Sequence, residues 1–434
     1  MKTVRQNTGN QTRLDNIEDN SPLALKPEQD KLLKPKKIWT YRRIINRLQK
    51  WVKKNTTIKS VQCCCSFAIN SSVEMLVRGS SGAASWAGLN VCGNTTTCPV
   101  CSQQKGIQRA RQVDSVAVPI IEAGGSGVML TLTVPHLIKD DLKTQVQNLN
   151  KCWDRLMRGK FGKKCGQYNK NNKTIWVRSW DWTTGQNGNH SHLHNLIMFE
   201  RQPTQAELIE LEIFAWENWA RIVESVFKRE ASIKAFKMEE VSNVKGVSAY
   251  NNKISSFAFE IACGGSIDTD SGKNSFNIWE LIWAIQEERD EEKKKILLRK
   301  FRMFEKQTKK LRTISFSKTF RERVVEDEEL KKDEEEKKVV LRIREDLWKL
   351  VVKREHTSSL LELYEAVASG DEAAKPIFES VESLTSKYSE ETKFIDEESM
   401  EKEWDGIAFR ISAWMFYKNK PEFYNSQHSI LVPS

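Results

Sequence analysis

Gly188-Asn189-His190-Ser191-His192-Leu193-His194-Asn195-Leu196-Ile197-Met198-Phe199 is the stretch from which the rest of the chain can be read. The protein holds six histidines, and three of them fall on alternate positions here. In a strand, alternation sends His190, His192 and His194 to one face and Leu193 to the other. The run from Leu196 to Phe199 continues the strand into an apolar core. Imidazoles on one strand face beside a packed core make a divalent-metal site. A polar strand edge with histidines by chance is the competing reading; the strict alternation of a rare residue argues against it.

Residues 174–183, rich in Trp, Val and Thr, read as a second strand. Gly185-Gln186-Asn187-Gly188 then turns the chain, so the two strands form a hairpin. A turn centred between Gln186 and Asn187 sets Asp181 opposite His192, with both side chains on one face. Asp181 would then supply an oxygen ligand beside His192 and His194, a set suited to Mg²⁺ or Mn²⁺. A slip of one residue would turn Asp181 away, and His190 is the rival third ligand. Upstream, residues 127–134 read as a buried strand stopped by Pro135, with a core role. Residues 137–157 read as a helix. Residues 158–173 carry six basic residues, no acid and three glycines, a loop able to follow a phosphate backbone through Lys163 and Lys164, or an ordinary solvated loop. A helix over 204–229 and a strand over 234–241 follow.

Two further clusters carry chemistry. Cys98-Pro99-Val100-Cys101 brings two thiolates within reach of one tetrahedral zinc. Cys92 and one of Cys63, Cys64 and Cys65 would complete a four-sulfur set, with Cys65 named as the fourth ligand. A redox CxxC or reduced buried thiols are the alternatives. Further on, Tyr250 and Lys253 share one face of a helix at i, i+3. A tyrosine oxygen can attack a phosphodiester, with a lysine and a metal stabilising the charge that develops. Alone, the pair reads more simply as core; after the histidine strand it reads as a nucleophile, with Tyr168 as the next choice.

These motifs resemble those of the HUH endonucleases, which nick single-stranded DNA, and in particular the plasmid rolling-circle replication initiators (Rep proteins). The corresponding segment of those initiators reads roughly Gly-Trp-His-x-His-hydrophobic-His, and Asn189 stands in place of the Trp. Leu130-Thr131-Leu132-Thr133 is similar to their first motif, and Tyr250 with Lys253 to their third. They often carry Cys-Pro-x-Cys followed by a basic segment; here that segment contains Arg109 and Arg111, which the resemblance marks as DNA-binding. Residues 277–282 and 312–321 are similar to later motifs. Some relatives place a glutamate one helical turn before the tyrosine, where this chain has Gly246; Glu239 and Glu240 lie upstream. The resemblance spans about residues 60–325. It implies nicking of a plasmid origin through Tyr250, leaving a 5′-phosphotyrosine and a free 3′-OH.

Composition agrees with a polyanionic partner. Lys and Arg total 69 against 58 Asp and Glu, a net charge of +11 over 434 residues. No run of about 18 apolar residues is long enough to span a bilayer. Nine cysteines, odd in number and clustered, point to metal in a reducing cytoplasm rather than to disulfides. The expected organisation is a disordered tail and basic helix (1–57), a zinc module (58–115), an HUH endonuclease domain (116–325) and a helical C-terminal region (326–434). Residues 38–54 form the basic amphipathic helix, read equally as a DNA-contacting arm or a solvated face. The fold class is α+β, with a central, mostly antiparallel sheet, helices, a small zinc module and a helical tail. The tail could serve origin DNA, a host helicase or another copy of the chain. A relaxase or transposase, a hydrolytic zinc enzyme and a non-catalytic zinc-containing regulator are the other function classes.

Overall fold

The computed structural model describes residues 35–78, 82–185, 188–241, 275–309, 311–324, 337–389 and 395–418. The stretch expected to be disordered, residues 1–35, lies outside them except for Pro35, which begins the first helix. Helix α1 (Pro35–Asn55) and a short α2 (Lys59–Gln62) lead into the hairpin β1 (Ser72–Arg78) and β2 (Ala84–Ala87). Helix α3 (Pro99–Glu122) starts on Cys98 with proline in its first turn, where the missing N–H costs nothing. Then come β3 (Ser126–Thr133), α4 (Leu142–Arg158), α5 (Lys160–Gly166), β4 (Ile175–Gly185) and β5 (Gly188–Phe199). Helix α6 (Gln205–Phe227) opens with a capping box between Thr204 and Glu207, and a 3₁₀ turn leads to β6 (Phe236–Val241). Strand β7 (Ser275–Phe276), α7 (Ile278–Glu287), α8 (Glu291–Gln307), β8 (Ile314–Phe316) and α9 (Lys318–Arg321) follow. The chain ends in β9 (Lys337–Arg344), α10 (Glu345–Lys353), α11 (Thr357–Ala368), α12 (Lys375–Lys387) and α13 (Glu397–Lys418).

The main sheet runs β6-β3-β5-β4-β7, with β8 also pairing β4, and all of its pairings are antiparallel. Its register sets Asp181 opposite His192 and Thr183 opposite His190. Alternation then divides the strands between two cores. Leu193, Ile197 and Phe199 face α4, α6, α7 and α8, whose Trp153, Trp219, Leu281 and Phe301 are buried. Leu196, Met198 and Val177 face the other way, against Ala110, Val113 and Val116 of α3. Three segments differ from the sequence reading. The helix expected over 137–157 starts at Leu142, capped by Asp141, because residues 137–140 form a separate turn. The expected basic loop over 158–173 contains α5, tucked under α4 so closely that a Cβ on Gly162 would lie 1.7 Å from the Met157 carbonyl oxygen. The C-terminal region also contributes a strand: β9 pairs with β1 along seven residues, in a second antiparallel sheet ordered β2-β1-β9. Helices α10 to α13 close over that sheet around Trp348, Trp404 and Trp414.

Helix α1 joins the main-sheet core on the α4 side to the C-terminal core around β9. Ile45, Leu48 and Val52 sink into the first. Four of its cations pair with acids from later in the chain. Arg42 pairs with Glu365 and Arg43 with Glu362, each at 2.7 Å, and Lys50 reaches Glu355. Arg47 pairs with Glu287 and lies over the Trp283 ring at 4.1 Å. No helix among the described residues is long and apolar enough to cross a membrane. Glu362 is fully buried while Arg43 is 36% exposed. Arg43→Ala should therefore cost about 2 kcal/mol, the low side for stranding a buried charge because its partner stands partly in water. Urea unfolding would read this as a lowered midpoint, partly restored by adding Glu362→Leu.

Candidate metal centres

The first centre follows from the hairpin register. Asp181 on β4 and His192 on β5 are cross-strand partners, and His194 stands two residues along the same face. His192 Nε2 lies 3.0 Å from Asp181 Oδ2, and His194 Nε2 lies 3.9 Å from the same oxygen. Ligand atoms bound at about 2.1 Å and at right angles are about 3.0 Å apart, so these spacings suit one ion of the Mg²⁺ or Mn²⁺ kind. The other Asp181 oxygen accepts the Trp182 amide at 2.6 Å, which fixes the carboxylate's orientation.

Electrostatics prepare the three groups. Burial works against a charged Asp181, yet the adjacent His192 holds its carboxyl below the usual range. Burial first, and His192 second, push His194 down to about 4. The same two causes, with His136 added, bring His190 to about 4. Both imidazoles are therefore neutral near pH 7, the form that ligates. His194 Nδ1 lies 3.4 Å from the Thr131 hydroxyl on β3, its cross-strand partner. That contact turns Nε2 toward Asp181. Sequence reasoning assigned Thr131 to the core; its alternation with Leu130 and Leu132 already put it on the histidine face. His190 stays outside the triad, its ring 5.0 Å from that of His136 and 5.3 Å from that of His192.

The second centre gathers Cys64, Cys92, Cys98 and Cys101. The fourth sulfur in reach is Cys64, where the sequence reading named Cys65. Cys65 adopts φ +58° and gives its amide to Asn90, which leaves Cys64 as the buried thiol of the pair. Cys64 Sγ lies 3.6 Å from both Cys101 and Cys98, and Cys92 lies 3.5 Å from Cys101. Four sulfurs around zinc at about 2.3 Å stand about 3.8 Å apart, so the donor set fits. The crowded sulfurs cannot all ionise alone: hydrogen bonds, first from Cys101, hold Cys64 low and push Cys98 up. The Asn94 amide donates to Cys92 Sγ at 3.4 Å, and Asn94 Oδ1 collects the amides and hydroxyls of Thr96 and Thr97.

The other candidate residues are dispersed. Arg109, two turns into α3 beyond Cys101, donates to Thr313 Oγ1 at 3.0 Å and borders a cleft shared with Thr95, Ser102 and Asp181. Arg111 is half-buried on the same helix. Lys163 is exposed on α5, while Lys164 pairs with Glu210 at 2.7 Å and lies over Phe214. Tyr168 is 5% exposed and packs on Phe199, at the opposite end of β5 from the histidines. Glu239 and Glu240 pair with Met129 and Val128, away from the histidine rungs. Tyr250, Lys253 and Gly246 lie outside the described residues. Val241 and Ser275 flank that segment, and Ser275 pairs with Gly185 at the histidine end of the hairpin.

A family model described as a replication protein matches residues 86–359, more than half of the chain. The match takes in the Asp181–His192–His194 triad and three of the four clustered cysteines. No curated protein and no solved structure matches.

Two outcomes follow from the geometry. Cys64→Ser should lower bound zinc from about one ion per chain to well below one, while Cys65→Ser keeps it; elemental analysis of purified protein reads both. Asp181→Ala should weaken Mn²⁺ binding at the first centre by roughly 10- to 100-fold. Thermal stabilisation by Mn²⁺ titration measures this without any reaction.

Proposed function

Because the chain belongs to the replication-protein family of plasmid replication initiators, we propose that it starts rolling-circle replication by nicking one strand of the plasmid origin through Tyr250. The observation that carries this reading is the Asp181–His192–His194 triad at one end of an antiparallel sheet. In this reading DNA is the macromolecular partner, single-stranded or as a hairpin at the nick. Asp181, His192 and His194 would hold Mg²⁺ or Mn²⁺, which polarises the phosphate and stabilises its developing charge. Tyr250 Oη attacks phosphorus, the bond to the 3′ oxygen breaks, and that oxygen takes up a proton to become the primer. Lys253 steadies the tyrosinate. The bond energy is kept in the 5′-phosphotyrosine.

Reach supports this assignment of the nucleophile. Tyr250 lies nine positions after Val241, a span of up to about 30 Å when extended. The His194 rung lies four residues along β3 from the Gly127–Val241 rung, about 13 Å, and two strand spacings across, about 10 Å. Cys64, Cys92, Cys98 and Cys101 would hold Zn²⁺ and stiffen the start of α3, which presents Arg109 and Arg111 to DNA. The wild-type protein with labelled origin or hairpin DNA and Mn²⁺ should give an adduct that survives SDS. Tyr250→Phe should abolish the adduct and leave binding within a few-fold. Cleavage without an adduct would identify a hydrolase, and an adduct from the Phe variant would exclude Tyr250 as nucleophile.

A further inference from the structure

Beside the histidine end of β5 stands a turn that the nicking reading leaves unused. Residues 135–140 follow β3, and their two central side chains are both exposed: Leu137 at 47% and Ile138 at 73%, the latter one of the most exposed large apolar groups described. The two adjacent aliphatic side chains form a small apolar tip at the end of the turn.

The turn is built to stay in place. Asp140 Oδ2 accepts the Leu137 amide at 2.8 Å, and the Asp140 amide returns to the Leu137 carbonyl at 2.9 Å. Arg229 grips both Asp140 carboxylate oxygens and also reaches the Pro135 carbonyl at 3.4 Å. On its other side the turn rests on the hairpin backbone. Gly188 has φ +93°, and a Cβ there would lie 2.8 Å from Ile138 Cα and 3.3 Å from the Leu137 carbonyl. Tip and metal centre are also linked through tilted ring contacts, His136 with His190 at 5.0 Å and His190 with His192 at 5.3 Å. Exposed Lys139 and Lys143 flank the apolar pair.

We propose that this turn is a wedge that presses Ile138, backed by Leu137, against the base beside the nick and holds it out of the duplex. The inference rests on the nicking reading and deepens it. A nucleobase offers an apolar face, and its phosphates meet the flanking lysines; aliphatic wedges open base steps in this way. The bracing by Asp140, Arg229 and Gly188 keeps the wedge from folding back when the base pushes against it. Its distance from the metal ligands is fixed by the same hairpin, so the opened base and the attacked phosphate stay in register.

The test uses the full chain with Leu137→Ser and Ile138→Ser together. Neither residue is among the metal ligands or the proposed nucleophile pair, and the Asp140–Arg229 brace remains. Adduct formation on a double-stranded origin oligonucleotide should fall roughly ten-fold or more, the effect of losing a wedge. On the same strand offered single-stranded it should stay within about two-fold, since no base then needs opening. A second measurement does without chemistry. Tyr250→Phe bound to duplex carrying 2-aminopurine beside the nick should raise its fluorescence, and adding the two serine changes should remove that rise. Equal loss on both DNAs, or no loss on either, overturns the wedge. A wild-type chain that forms no adduct on single-stranded DNA overturns the nicking reading instead, and the 2-aminopurine signal still decides the wedge.

Discussion

The hydrogen-bond register between β4 and β5 is the constraint on which the rest depends. Side chains alternate along a strand, so this one alignment decides whether Asp181 meets His192 or faces away. The alignment is held from several sides. Strand β3 pairs with β5 through Thr133 and His192, β8 hydrogen-bonds β4 at Val177 to Ser179, and β7 pairs at Thr184 and Gly185. Trp180 and Trp182 anchor the opposite face of β4 against Phe304. Slippage would move these indoles and the acid together. The geometry of a polar site is thus guaranteed by apolar packing on the reverse of the same strand.

The protein places its charges unevenly. The metal face gathers a carboxylate and imidazoles whose burial keeps His190 and His194 neutral. The joint between the two cores instead gathers full charges, Arg42 and Arg43 against Glu365 and Glu362. Buried ion pairs contribute little net stability but penalise every other arrangement, so they act as an alignment device. Each such pair cancels within the count, so the net charge of +11 is carried by cations other than Arg42 and Arg43.

Local signals in the sequence reached far into this structure. The histidine alternation and the Gly185–Gly188 turn each act over a few residues, and the hairpin and its register could be read from them. The CxxC pair was legible for the same reason. What escaped reading depends on contacts distant in sequence. Choosing Cys64 over Cys65 needs the backbone bend at Cys65 and its bond to Asn90. The partners of α1 lie more than 300 residues away at Glu362 and Glu365. Thr131 was visible on the right face, but only pairing with β5 puts it beside the His194 ring. The short α5 was hidden because Gly162 and Gly166 have weak helical preference; burial of Phe161 and Cys165 outweighs it.

Strand β1 finds its partner β9 about 260 residues later, and every strand of the main sheet lies between them. The ribosome therefore makes the two halves of the smaller sheet at opposite ends of its task. At roughly 5–20 residues per second, β1 and β2 wait tens of seconds for the third strand. Late in that interval the main sheet gains its last strand, β8, and can close, while the hairpin presents a bare edge to the cell. A transcript cut short before codon 337 yields a chain whose first-made strands can never be completed, marked for chaperone or protease by that edge alone.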